Sequence, residues 1–354
     1  MPFSSHSLPA ADGIRGLACL IVLVMHGLSL GWPERLFPML KGGGKYGVWL
    51  FFVLSAFLLT LRLQRRGFGL ASMADYALAR SLRIVPLFVL TCLLYAWAGV
   101  GITDVRQLGE VLSMQRGSIH LWTIPVEFKA YVILPLLAWL GLLVQRRAGL
   151  GGLLLAALLA LGLQQALWPY WQTPADSPFT RWYLPAFLFG CLAALLLPWV
   201  RKWRREAVGT VYAILLLTIL TLALPGVRQV LLGGGLANDL MDKHLFISLA
   251  WALFVALLVD GEGLVGRALS SRLLGFVGRA SYSIYLLHWL IMTRIFDQFP
   301  QNTSAFVAAL ALAILAGAMG YYLAELPLER LRQRITPFRR PLQPARHNAN
   351  SPTG

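Results

Sequence analysis

The 354 residues are 58% hydrophobic and only 13% charged, with a mean hydropathy of +0.66; a soluble domain carries roughly a quarter charged residues, so water is not this chain's main solvent. The net charge of +16 would suit a nucleic-acid partner in a soluble protein, but here Lys and Arg cluster between apolar runs, where they set membrane topology. Spans and short loops leave no room for a separate soluble domain, and Cys19, Cys92 and Cys191 sit inside apolar runs with neither disulfide nor zinc spacing.

In chain order, the first apolar run extends from Ile14 to about Leu30, lacks a clear cleavage site and carries Arg15 and His26, so it reads as a retained first helix. Further spans are expected near 46–62, 84–101, 119–143, 149–168, 182–199, 208–225, 244–260, 280–296 and 304–324. Helices suit such lengths, because backbone groups facing lipid must be satisfied within the segment. The expected fold is therefore all-α, a polytopic membrane protein of about ten transmembrane helices.

Alternate loops hold the positive charge: Arg62, Arg65, Arg66, Arg80 and Arg83; Arg146 and Arg147; Arg201, Lys202, Arg204 and Arg205; then Arg267, Arg272 and Arg279. With Arg330, Arg332 and Arg334 they predict a cytoplasmic side and place both termini there. Trp168, Tyr170, Trp171, Trp182 and Tyr183 mark one outer interface, Trp199 and Trp203 an inner one. Residues 1–336 form one transmembrane domain, and 337–354, rich in Pro, Asn, Ser and Arg, reads as a disordered basic tail near anionic headgroups. No internal repeat of the transporter kind stands out.

Titratable groups inside an apolar span need a partner or a function. Arg15 and His26 are eleven residues apart, which returns them to nearly the same helix face with ~16 Å of axial rise between them. That is roughly the reach of the pantetheine arm of coenzyme A. Arginine would clasp its phosphates, leaving the thioester beside an imidazole able to take a proton from a hydroxyl. The alternative is an arginine snorkelling to headgroups and a histidine bonded to a neighbouring helix.

The blocks LPAADGIRGLACLIVLVMHG, GVWLFFVLSAFLLTLRL, ARSLRIVPL, LWTIPVEFKAYVILPLL, SYSIYLLHW and ELPLERLR, running in that order from residue 8 to 332, resemble acyltransferase family 3, the membrane-bound O-acyltransferases of bacterial surface sugars. The resemblance implies a cytoplasmic acyl-CoA donor, most often acetyl-CoA, and a carbohydrate or glycolipid acceptor on the far side of the bacterial cytoplasmic membrane. It places Arg15 and His26 on the family's essential pair, and Arg80 and Arg83 on its basic motif, where they either neutralise CoA phosphates or only set topology.

Glu127 matches the glutamate of the WTIPVE block and is expected to orient His26 or grip the acceptor hydroxyl; the alternative is an ion pair with Lys129 or an arginine. Tyr285 and His288 are expected at the donor's pantetheine or the acyl pocket, unless His288 only bonds between helices. Lys129 and Ala56, which depart from the family's usual residues, bear on acceptor choice. Ser55 has no base beside it in FFVLSAF, which argues against a serine nucleophile. His120 and His244 are expected at outer interfaces, His6 and His347 in flanking segments, and no metal is expected. A sugar transporter and a non-catalytic scaffold are the rival functions. The three differ in whether CoA is consumed, sugar accumulates, or neither.

Overall fold

The computed structural model of the protein describes residues 8–233, 235–236 and 240–335; the expected tail at 337–354, with His6 and His347, lies outside them. The described residues are helical throughout, with no strand. In order these are α1 (Ala11–Gly31), α2 (Leu36–Leu40), α3 (Gly44–Arg66), α4 (Leu70–Ala98), α5 (Val105–Leu112), α6 (Thr123–Leu167), α7 (Leu184–Trp203), α8 (Glu206–Leu222) and α9 (Pro225–Leu232). There follow α10 (His244–Leu258), α11 (Gly263–Leu269), α12 (Arg272–Arg279), α13 (Ser281–Gln298), α14 (Thr303–Gly320), a π-helical turn (Tyr321–Glu325) and α15 (Leu326–Ile335).

Among the described residues, six helical stretches are long and apolar enough to cross a membrane, or eight if α8 with α9 and α10 with α11, each bent sharply, count as one span apiece. This marks a multi-pass membrane protein and does not confirm the expected ten spans; two stretches separate the two counts. The runs 119–143 and 149–168 both lie in α6, whose 45 residues are two helices meeting at a break where Gly149 takes φ 66° and ψ −160°, a backbone conformation natural to glycine; the two expected runs are therefore separate helices that count as one continuous stretch. The run 280–296 is α13, which qualifies on length but carries Tyr282, Ser283, Tyr285, His288, Arg294 and Asp297 and falls short on apolarity.

The centre of the bundle is α3, which packs against α1, α6, α7 and α10 and buries Trp49, Leu50, Phe52, Val53 and Phe57 almost completely. Small residues permit this. A Cβ on Gly47 would sit 2.8 Å from Val22 of α1, and one on Gly190 of α7 would sit 2.7 Å from Ala56, so the helices approach backbone to backbone. Ala56, fully buried, sits at this close helix contact. On the outside, Val132, Leu136, Leu158, Ile214, Ile219 and Leu315 are exposed, the apolar surface expected of lipid-facing positions.

Polar side chains gather in two clusters at the arginine-rich helix ends. Asp75 of α4, buried, accepts from Arg62 (2.7 Å), Arg66 (2.6 Å) and Arg332 of α15. Asp260 accepts from Arg201 (2.6 Å) and Arg204 (3.0 Å). These bonds tie the arginine-rich helix ends together, beside the start of α1, whose Ala10 N–H donates to the Val259 carbonyl (3.2 Å).

Candidate active site

Helix α1 joins two cavities. Arg15, one turn into the helix and ion-paired with Asp12 (3.0 Å), lines a cavity of about 230 Å³. His26, three turns further on, lines another of about 290 Å³. The two face each other across Val48 and Tyr285, which line both.

Four arginines from three helices, Arg15, Arg62, Arg80 and Arg83, surround the first cavity. Arg80 lies over the Tyr131 ring (5.8 Å) and its buried Nε has no protein partner among the described residues. Against these four cations the lining holds one carboxylate, Glu127, which accepts from Ser55 (2.7 Å) and from the Tyr131 hydroxyl. Arg15 and Arg62 keep ion pairs to Asp12 and Asp75, which do not line the cavity, so the lining itself is rich in fork-shaped cationic donors, a setting for phosphate.

Glu127 makes no hydrogen bond to His26, so it does not orient that imidazole; nor does Lys129 pair with it. The Lys129 ammonium donates to the Met114 carbonyl (2.8 Å), lies over the Phe179 ring, and lines neither cavity.

What orients His26 is His288. His288 Nδ1 lies 2.7 Å from the Tyr285 carbonyl, and its Nε2 lies 2.9 Å from His26 Nδ1. A carbonyl only accepts, so His288 Nδ1 carries the proton. In a neutral ring its Nε2 is then the acceptor, and His26 Nδ1–H donates to it. This leaves the lone pair of His26 Nε2 free, facing Gly44 at the start of α3, where a Cβ would lie 3.0 Å away. The rings of His26 and His288 stack with centroids 5.2 Å apart and 7° between planes. With both nitrogens engaged, His288 makes the interhelical bond that was the alternative to a place at the donor amides. Tyr285 instead forms the wall: its hydroxyl donates to the His120 carbonyl (2.8 Å) and accepts from Thr123 (3.0 Å).

The second cavity is completed by Trp289, edge-on to His26 at 5.0 Å, by the Lys45–Asp176 ion pair (3.0 Å), and by His120, whose ring lies 4.7 Å from that of His288. His120 was expected at an outer interface. Instead Ile119 takes φ 49°, rare for a β-branched residue, and the short turn Ile119–Trp122 folds the imidazole inward to 4% exposure. Its place directly before Leu121–Trp122–Thr123 was the one available signal. The three histidines meet ring against ring, and no metal-binding group of His, Cys, Asp and Glu forms among the described residues.

A family model described as "Acyltransferase domain" matches residues 8–323. The peptidoglycan O-acetyltransferase OatA of Listeria monocytogenes is 25% identical over 340 residues, 82% of this chain and 50% of that protein. The O-acetyltransferase OatA of Staphylococcus aureus strain NCTC 8325 is 22% identical over 368 residues, 93% of this chain and 58% of its own length. The chain thus spans about half the length of the curated relatives it matches. No solved structure matches.

Proposed function

We propose that this chain, which belongs to the acyltransferase domain family, moves an acyl group, most simply acetyl, from acyl-CoA to a carbohydrate hydroxyl across the wall between its two cavities. The observation that carries this reading is the pairing itself: four arginines around one chamber, a histidine with a free Nε2 beside the other, and Tyr285 with Val48 shared between them.

CoA phosphates are held by Arg15, Arg62, Arg80 and Arg83 in the first cavity. Glu127, bonded to Ser55 and Tyr131, tempers that positive field and shapes the chamber. The thioester then reaches Tyr285, near the depth of His26. His26 Nε2 takes the proton of the acceptor hydroxyl, and the oxygen bonds to the thioester carbonyl carbon. The carbon–sulfur bond breaks, and the departing sulfur recovers the proton from His26. While His26 carries that proton, its Nδ1–H still donates to His288, whose own Nδ1–H is fixed by Tyr285, so the added charge finds oriented dipoles in place.

The arginine-rich end is assigned to the cytoplasm, where acyl-CoA is supplied, and the His26 cavity to the outer side of the bacterial cytoplasmic membrane. Two relatives are named O-acetyltransferases, one of them for peptidoglycan, which supports a carbohydrate acceptor. The test is transfer of label from acetyl-CoA to carbohydrate by purified protein in proteoliposomes. His26→Ala should abolish transfer while leaving acetyl-CoA binding in place. Full transfer in that variant removes His26 as base, and sugar accumulation without CoA consumption replaces the enzyme with a transporter.

A further inference from the structure

His120 is the one imidazole in the second cavity that the proposed reaction leaves idle. It is 4% exposed, yet neither ring nitrogen makes a hydrogen bond with any described protein group. The ring faces the carbonyls of Tyr285 and Leu286, but in a geometry that falls short of a hydrogen bond to either. A buried donor and acceptor left unmatched are costly, and here the cost comes with an unfavourable backbone angle at Ile119. The His120 carbonyl is meanwhile anchored by the Tyr285 hydroxyl (2.8 Å), so the ring is held in place.

The ring lies on the cavity that holds His26, with centroids 6.5 Å apart, and runs nearly parallel to Trp289 (19° between planes, 5.9 Å). A neutral imidazole offers one donor and one acceptor. A hydroxyl, which both donates and accepts, satisfies either tautomer, and a ring bearing adjacent hydroxyls places a second one within reach when the first is at His26. An indole beside them offers its π face to the apolar face of such a ring.

We infer that His120 binds a hydroxyl of the acceptor sugar neighbouring the one that His26 deprotonates, and so selects which position is acylated. The inference rests on the acyl-transfer reading above and deepens it. His120 is then a specificity-determining contact and takes no part in proton transfer.

The test compares wild type with His120→Phe, which keeps an aromatic ring without nitrogens, and His120→Gln, which keeps a donor and an acceptor. Muramidase-released peptidoglycan fragments serve as acceptor probe, read both by equilibrium binding without CoA and by transfer from labelled acetyl-CoA. We expect His120→Phe to weaken fragment binding and raise acceptor KM by about tenfold, to leave the acetyl-CoA KM unchanged, and to turn a single acylated position, read by NMR, into a mixture. His120→Gln should recover most of the binding. Unchanged fragment binding with one product in a folded His120→Phe protein overturns the inference, as does a fall in kcat with acceptor KM intact. Because binding is read without the donor, failure of wild type to use acetyl-CoA would overturn the acyl-transfer reading while the His120 contact is still decided.

Discussion

Replacing His288 separates two readings of the site that differ only in which substrate the residue serves. In the structure its Nε2 accepts from His26 at 2.9 Å, and its Nδ1 donates to the Tyr285 carbonyl at 2.7 Å. When His26 takes the acceptor proton, the bond from its Nδ1 becomes one from a cation, for which a loss of about 1.5–3 kcal/mol is typical. At about 1.4 kcal/mol per decade of rate, His288→Phe should lower kcat by roughly 10- to 150-fold. The KM for acetyl-CoA should hardly change, because no arginine of the donor cavity is touched. His288→Gln offers a carbonyl oxygen to His26 and an amide N–H to Tyr285, and should recover much of the rate. Initial rates in proteoliposomes at varied acetyl-CoA decide it. A raised acetyl-CoA KM with unchanged kcat would refute the orienting role and return His288 to the donor.

Gly44→Ala places a Cβ 3.0 Å from His26 Nε2, so it should cut kcat at least about tenfold with little change in melting temperature, measured on the same preparation. Arg80→Gln and Arg83→Gln should each raise the acetyl-CoA KM about tenfold and leave acceptor binding alone, read by titrating each substrate separately. Asp75→Asn leaves Arg62, Arg66 and Arg332 without their shared carboxylate. It should destabilise the protein by about 3 kcal/mol, seen as a lower thermal midpoint, and weaken the donor because Arg62 lines that cavity. Glu127→Gln keeps the shape of the Ser55 and Tyr131 contacts and should cost less than about tenfold in kcat; a thousandfold loss would place proton transfer on Glu127.

What could be seen in the sequence was what helix period and hydropathy encode. Arg15 and His26 follow the 3.6-residue turn of a single helix, so their two depths and shared face can be counted along one line. The clustering of arginines likewise shows where the helices end. The partner of His26 could not be seen, because His288 is 262 positions away and only packing of α13 on α1 brings the rings together. Glu127 was joined to His26 by motif alone, and the rotation of α6 instead points it at Ser55 of α3. His120 was misplaced because hydropathy records the end of a span but not the backbone reversal at Ile119. The two span counts differ because the two helices of α6 run on through a kink at Gly149, and because α13 mixes apolar residues with the polar ones of the site.

The most direct measurement is a structure of the protein with a non-hydrolysable thioether analogue of acetyl-CoA. The two-cavity account predicts CoA phosphate among Arg15, Arg62, Arg80 and Arg83, the pantetheine arm passing Tyr285, and the acyl carbon on the His26 side of that wall, next to Nε2. Density for the nucleotide in the His26 cavity, or an acyl group ending short of Tyr285 with no path to His26, would contradict it.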